Sequence, residues 1–406
     1  MSEDHSLWHR WLYHFLVGLY FARVTVVHAE RLPREGPVLF LGLHRNGAVD
    51  GFVYHHALSG PTFMISTQLR RNWFARLFFT GIAVARLKDE GDRSVNEAAR
   101  EQCLAVLRRG GRLCVFPEGT SSLGPRHLPF KGGAAWLILD YLEEGGASLQ
   151  VVPVGIHYEC PWAFRAKVEV VVGRPIPLDL PPGLSARERL KTLKLRSQAG
   201  LEEVGINVPS EQYQQNIERL AYASTLATPR SYYKSLKSLE REIPEPIRVA
   251  GDRLEPELRR SKLLYHQGVP LFPMGPVPVY VLAWLVLAPL VLGAIALNLP
   301  PFFAGWFAGK KFPDDRNVIS LWKLLAGVPV LWLWMISVAG ACLALGRPLW
   351  LVGYVGLSWM GLFLYYRVKK LTVAVHNALR HPKLRKAMLE FRETVIRNLP
   401  EEKCRE

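Results

Sequence analysis

Three apolar stretches in the C-terminal third constrain this chain most: Val277 to Leu299, Leu324 to Leu345 and Pro348 to Tyr366. Each is long enough to cross the hydrocarbon core of a bilayer as a helix, which takes about 20 residues. One such segment would suit the buried helix of a soluble protein. Three in close succession, with Trp and Tyr near their ends, define a membrane region over 271–370. A basic tail, 371–406, follows, with Leu371, Leu379, Leu384, Met388 and Phe391 spaced for an amphipathic helix expected to lie on the membrane.

The rest of the 406 residues organises in front of that region. Trp8, Trp11, Leu12, Phe15, Leu16 and Leu19 recur at helical spacing, so 1–23 is expected to form an interfacial helix; a helix packed on the neighbouring domain fits the pattern equally well. From Val24 to about Pro177, short β-rich runs alternate with helical patterns at Ser94 to Arg109 and Gly132 to Leu142. This predicts an α/β domain over 24–182, with a mostly parallel or mixed sheet flanked by helices. Pro177 to Pro182 marks a boundary. Ser185 and Glu188 then have capping-box spacing at the head of a charged helical module, 183–270.

The formal net charge is +16. Its excess is scattered and accompanied by long apolar segments, so an anionic membrane surface and phosphorylated substrates explain it better than nucleic acid. The five cysteines, at 103, 114, 160, 342 and 404, have neither paired secretory spacing nor a C-x-x-C motif, which points to a reducing compartment. The acidic opening Met1-Ser2-Glu3-Asp4 does not read as a secretory signal.

Chemistry concentrates in the α/β domain. Pro37 to Leu41 reads as a buried strand and Val49 to Leu58 as a helix, so His44 and Asp50 straddle a strand-to-helix turn that Asn46-Gly47 suits. A hydroxyl attacking a thioester needs a base for its proton, and an imidazole oriented by a carboxylate meets that need. His44 is the candidate base and Asp50 its orienter. After the apolar strand Leu113-Cys114-Val115 comes Phe116-Pro117-Glu118-Gly119-Thr120-Ser121-Ser122, whose successive N–H groups and hydroxyls suit a phosphate. Cys114 reads as core packing, and His127 and His157 as exposed or structural. There is no dinucleotide or Walker-type loop, and no metal-site spacing.

With these motifs in place, Pro37 to Pro177 resembles the glycerolipid acyltransferase superfamily, which includes glycerol-3-phosphate and lysophosphatidate acyltransferases. His44 and Asp50 match its first block, and Gly81-Ile82-Ala83-Val84-Ala85-Arg86 its Gly-x-x-x-x-Arg block. Phe116 to Thr120 matches the third, with Phe130-Lys131-Gly132-Gly133 resembling a phosphate contact downstream. Val152 to Ile156 matches an apolar strand beside the acyl site. The resemblance implies that Arg86 and Lys131 hold phosphate and that Glu118, Gly119 and Thr120 shape the acceptor site. It implies acyl-CoA or acyl carrier protein as donor, with no metal or redox cofactor.

Two features depart from the common pattern. Five residues separate His44 from Asp50 where most members have four, a spacing similar to that of fungal-type glycerol-3-phosphate or dihydroxyacetone-phosphate acyltransferases. Ser121 stands where many members carry Arg. The resemblance therefore implies acylation of glycerol 3-phosphate in phospholipid biosynthesis. Lysophosphatidate or another lysophospholipid is the alternative acceptor, and an inactive lipid-binding scaffold the reading from another class.

Charge also predicts topology. Arg367 to Glu406 holds eleven Lys or Arg against five Glu, so the tail is expected on the cytoplasmic side with the catalytic domain. Two cytoplasmic ends need an even number of crossings. Val277 to Leu299, interrupted by Pro289 and ended by Asn298-Leu299-Pro300-Pro301, is expected to form a re-entrant or interfacial hairpin with Phe302 to Ala308. The other two stretches would cross as a pair joined at Gly346-Arg347.

Overall fold

The computed structural model describes residues 7–67, 73–85, 93–146 and 148–399, without the side chains of 93–95. Arg86, the acidic opening Met1–Asp4 and the end of the tail, including Cys404, lie outside the described residues. The chain divides into two units. The first combines Met1–Gly18, Val24–Tyr158 and Val168–Pro209; the second combines Leu19–Arg23, Glu159–Lys167 and Ser210–Glu406.

The first unit is built on a seven-stranded sheet. Its strands are β1 (Arg23–Val27), β2 (Val38–Gly42), β3 (Thr62–Ser66), β4 (Ile82–Val84), β5 (Arg112–Val115), β6 (Gln150–Tyr158) and β7 (Lys167–Val172), in the order β1-β7-β6-β2-β5-β3-β4. β2 runs parallel to β5 and β6, and β3 parallel to β4 and β5, while β7 is antiparallel to β6. The sheet is therefore mixed, as expected. Every residue of β2 is buried, which is why it reads as an unbroken apolar run rather than an alternating one. The parallel register pairs Leu41 with both Val115 and Pro153. The C-terminal ends of β2 and β5 thus lie side by side, with β2 ending against the middle of β6, and the segments following β2 and β5 leave from the same edge, where open α/β sheets bind ligands.

Helices of this unit are α1 (Leu7–Tyr20), α2 (Val49–Ala57), α3 (Trp73–Phe78), α4 (Arg93–Arg108), α5 (Gly133–Glu143) and α6 (Ala186–Val204). α1 buries Leu12, Tyr13, Leu16 and Val17, and the Tyr13 ring lies 4.9 Å from that of Phe52 on α2. Its other face leaves Leu7, Trp8 and Trp11 exposed, next to exposed Trp73 and Leu77 on α3; Trp8 Nε1 donates to the Leu77 carbonyl at 3.0 Å. One face is packed and the other remains apolar and open.

α6 differs from the domain division read in the sequence, which placed it in the helical module. It begins at the expected capping box, where the Ser185 side chain accepts from Glu188 N and the Glu188 side chain accepts from Ser185 N. Its end then packs on β6: a Cβ at Gly155 would lie 2.3 Å from the Val204 carbonyl oxygen, and the His157 ring pairs with that carbonyl at 2.9 Å. A bare backbone on β6 lets the helix dock, so the boundary moves to Pro209/Ser210.

The second unit begins with α7 (Glu211–Ser224), α8 (Tyr232–Leu239), α9 (Glu245–Arg260) and the short ribbon β8 (Tyr265–His266) and β9 (Val269–Pro270). It continues through α10 (Val277–Leu297), α11 (Leu299–Lys311), α12 (Ile319–Ala344), α13 (Pro348–Arg380) and α14 (Pro382–Asn398). Val277–Leu297, Arg316–Ala344 and Pro348–Arg380 are each long and apolar enough to cross a membrane.

α10 and α11 meet at Asn298, a buried polar residue with its bonds satisfied. Its Nδ2 donates to the Ala294 carbonyl and to Ser358 Oγ, and its Oδ1 accepts from the Tyr354 hydroxyl. Trp334 Nε1 donates to the Leu297 carbonyl at 2.8 Å. The bend is therefore level with Trp334 on α12, and α12 continues ten residues beyond it to Ala344, about 15 Å of helix. α11 returns antiparallel to α12, with Gly305 against Gly327 and Phe312 against Trp322. The α10–α11 pair is a hairpin that turns well short of the far end of α12.

The tail corrects an expectation. Leu384 and Met388 of α14 are buried with Leu254, Leu263, Phe272 and Ala378, and Phe391 packs against that cluster. The α14 part of the apolar face expected to lie on the membrane is therefore packed against protein, while Leu379 on α13 stays exposed. α13 also runs unbroken to Arg380 through the boundary expected at 370.

Candidate active site

Packing at the sheet edge brings the first and third sequence blocks together. His44 lies three residues beyond Leu41, Glu118 three beyond its register partner Val115, and His44 N donates to Glu118 Oε1 at 3.0 Å. Ser122 N donates to the His44 carbonyl at 3.0 Å. The buried Glu118 carboxylate accepts a second backbone donor, Leu128 N, on Oε2 at 3.0 Å. Burial is the main force raising its pKa, opposed by those two N–H groups. Glu118 thus faces inward and ties three segments together.

His44 and Asp50 form the pair their spacing suggested. Nδ1 lies 2.9 Å from Asp50 Oδ2, and the imidazole stacks on Phe116 at 4.3 Å, which fixes the ring plane. Asp50 is fully buried. Its Oδ2 also accepts from Arg45 N at 2.6 Å and Asn46 N at 2.8 Å, and its Oδ1 accepts from the Tyr158 hydroxyl at 2.5 Å. Three donors replace the water that burial takes from this carboxylate. Within the turn Gly47 adopts a left-handed conformation at φ 52°, and α2 then places Asp50 in its first turn. With Nδ1 paired to Asp50, Nε2 is the ring nitrogen left to exchange a proton.

Lys131 joins the same turn. Its N donates to the Pro117 carbonyl at 2.8 Å, and its side chain crosses Gly119 so closely that a Cβ there would lie 2.5 Å from Nζ. Lys131 and Thr120 are exposed, whereas Glu118 is buried. The structure therefore gathers His44, Asp50, Glu118, Gly119 and Lys131, with Thr120 in the same segment. Of the second block, Gly81 has φ 148° and a Cβ on it would meet the Phe63 carbonyl oxygen at 2.4 Å, so only glycine fits. Arg86, which completes that block, lies outside the described residues.

Cys114 is fully buried, and its thiol is driven upward in pKa first by burial and then by Asp50, as suits packing rather than thiolate chemistry. His127 and His157 both sit against the end of α6: His127 N donates to Asn207 Oδ1, and the His157 ring pairs with Val204. Tyr158 was missed in the sequence. Val154, Ile156 and Tyr158 alternate on one face of β6, so the fourth block carried the signal two residues beyond its end.

Residues 23–157 match the family model described as Acyltransferase. A segment of 91 residues is 32% identical to an uncharacterized acyltransferase of Schizosaccharomyces pombe. That match covers 22% of this chain and only 14% of the yeast protein. Among solved structures, the 1-acyl-sn-glycerophosphate (LPA) acyltransferase PlsC of Thermotoga maritima aligns over 48% of this chain and 76% of its own, at 21% identity and a TM-score of 0.33. The segment that matches the acyltransferase model thus holds His44, Asp50, Glu118, Gly119, Thr120 and Lys131.

Proposed function

We propose that the protein is a membrane-bound O-acyltransferase that transfers a fatty acyl group from the thioester of acyl-CoA or acyl carrier protein to a hydroxyl of glycerol 3-phosphate. The observation that carries this reading is the His44–Asp50 pair, held by Glu118 against the segment that follows β5. In the reaction, His44 Nε2 takes the acceptor hydroxyl proton as its oxygen attacks the thioester carbonyl. The tetrahedral intermediate collapses with loss of the thiolate, which recovers the proton from His44. Asp50 stabilises the imidazolium between those steps. No covalent acyl-enzyme, metal or redox cofactor takes part. Lys131 and Arg86 supply cations to the acceptor phosphate, and the longer His44–Asp50 spacing, similar to fungal-type members, supports glycerol 3-phosphate over a lysophospholipid.

The deciding assay offers the purified protein glycerol 3-phosphate or lysophosphatidate with each donor. Glycerol 3-phosphate should be acylated faster, and Lys131→Ala and Arg86→Ala should each raise its KM about tenfold or more while leaving the donor KM within about twofold, as expected for a lost charge-assisted contact. Preference for lysophosphatidate overturns the acceptor assignment. Variants that lose donor affinity alone overturn the roles of the two cations.

The hairpin supports the topological half of the proposal: α12 and α13 cross as a pair, and α10–α11 enters and returns, leaving the catalytic domain and tail on the cytoplasmic face. The exposed Leu7, Trp8, Trp11 and Trp73 face adds an interfacial contact. Cysteines introduced near Lys310 and in α14 should react with impermeant reagent only after cells are opened. Labelling of either in intact cells refutes the two-crossing arrangement.

A further inference from the structure

The second unit contains a cavity of about 1030 Å³ lined by its own residues from α7, α9, the β8–β9 ribbon, α13 and α14. Nine of its lining residues are Lys or Arg, against two acids, Asp252 and Glu255. Glu255 is already paired with Arg259 at 2.7 Å. Such an imbalance in a partly enclosed space costs self-repulsion and desolvation, and an anion relieves both.

The positive charge converges. Lys167 Nζ and Lys370 Nζ lie 5.5 Å and 5.4 Å from the centre of the Tyr366 ring, and Lys370 also lies 5.8 Å from the Tyr222 ring. Rings attract cations through their faces but do not neutralise them. The nearby carboxylate, Glu159, accepts the Tyr366 hydroxyl at 2.7 Å; burial raises its pKa, opposed by Lys167, the Tyr366 hydroxyl and Lys370, so this one acid faces two lysines. His266 contributes no negative charge: burial first, then Lys369, Lys370 and Lys167, push its pKa down to about 3. Arg392 donates to the Leu226 carbonyl through one terminal nitrogen, yet its buried Nε has no hydrogen-bond partner among the described residues.

The remaining walls are apolar and include Leu254, Leu371, Phe272, Met388 and Phe391. The α13 segment bordering the cavity runs from Phe363 to Ala374, where the apolar span gives way to Arg367, Lys369 and Lys370. A cationic cluster with apolar walls at that level matches an amphiphile from the membrane interface.

We propose that this cavity is a binding site for an anionic glycerophospholipid, with its phosphate among Lys167, Lys370 and Arg392 and an acyl chain along Leu254, Met388 and Phe391. The inference rests on the membrane reading above but not on the acyl-acceptor site, because the residues assigned to the phosphate all belong to the second unit.

The test uses full-length protein in nanodiscs of phosphatidylcholine alone or mixed with phosphatidate, reading the thermal unfolding midpoint and phosphatidate retained through detergent washing. Phosphatidate should raise the midpoint and be retained severalfold over phosphatidylcholine. Lys370→Gln combined with Arg392→Gln, and separately Lys167→Gln, should remove most of that gain. Lys131→Ala should keep it, and inorganic phosphate or coenzyme A added to phosphatidylcholine discs should not reproduce it. Equal behaviour in both discs, or a gain that survives all the cavity substitutions, overturns the site. A gain lost in Lys131→Ala places the lipid at the acceptor site instead, and one reproduced by phosphate or coenzyme A identifies a soluble ligand; either result overturns the proposal.

Discussion

His44→Ala is expected to lower kcat by on the order of 10²–10⁴ while leaving folding and membrane insertion intact, because it removes the base from a site whose framework does not depend on its ring. The backbone bonds from His44 N to Glu118 and from Ser122 N to the His44 carbonyl survive the substitution. Asp50→Asn is a sharper probe. An amide oxygen placed at the Oδ2 position still accepts from His44, Arg45 N and Asn46 N, and its NH₂ can donate to a reoriented Tyr158 hydroxyl. The geometry can therefore persist while the charge that stabilises the imidazolium is lost, and kcat should again fall by on the order of 10²–10⁴ with little change in KM. Tyr158→Phe leaves the charge but removes the donor to Oδ1, worth about 1.5–3 kcal/mol, so a loss of up to about 10- to 150-fold in kcat is expected. Steady-state kinetics on variants shown to be folded by thermal melting decides the matter. Near-normal turnover by folded His44→Ala sinks the mechanism.

What the sequence disclosed, and what it hid, follows from the range of the interactions. The run Pro37 to Leu41 and the helix from Val49 are local signals, so the His44–Asp50 turn between them was legible. The meeting of His44 with Glu118 required the parallel pairing of β2 with β5, which ordered motifs suggest but do not specify. Tyr158 reaches Asp50 across 108 positions, and its alternation with Val154 and Ile156 has meaning only once β6 is known to lie beside β2. The break between α10 and α11 at Asn298 was legible because Asn and two prolines interrupt an apolar run. The tail misled because spacing reveals an apolar face but not what covers it: Leu384 and Met388 suit a membrane as well as the core they share with Leu254 and Phe272.

Glu118→Gln is expected to damage both stability and turnover, although it changes one oxygen into one nitrogen. The carboxylate accepts a backbone N–H on each oxygen, from His44 and from Leu128. An amide offers one acceptor and sets an N–H against the other N–H. One charge-assisted bond is lost and a donor is left buried, a cost of about 1.5–3 kcal/mol. Removing the charge offsets part of this, because burial already raises the pKa of Glu118. The sign of the pH dependence follows from that direction. A carboxyl raised in the folded state contributes its stability below the ordinary glutamate range, near pH 4.3, and loses it as pH rises through the folded value. The variant has no such titration, so its stability deficit relative to the parent should shrink as pH rises through that window. Because the lost bond positions the His44 backbone, kcat should fall with the midpoint. Thermal melts of both proteins across the window, with kcat measured well below the midpoint, test this. An unchanged midpoint with full activity would show that Glu118 does not hold the catalytic turn.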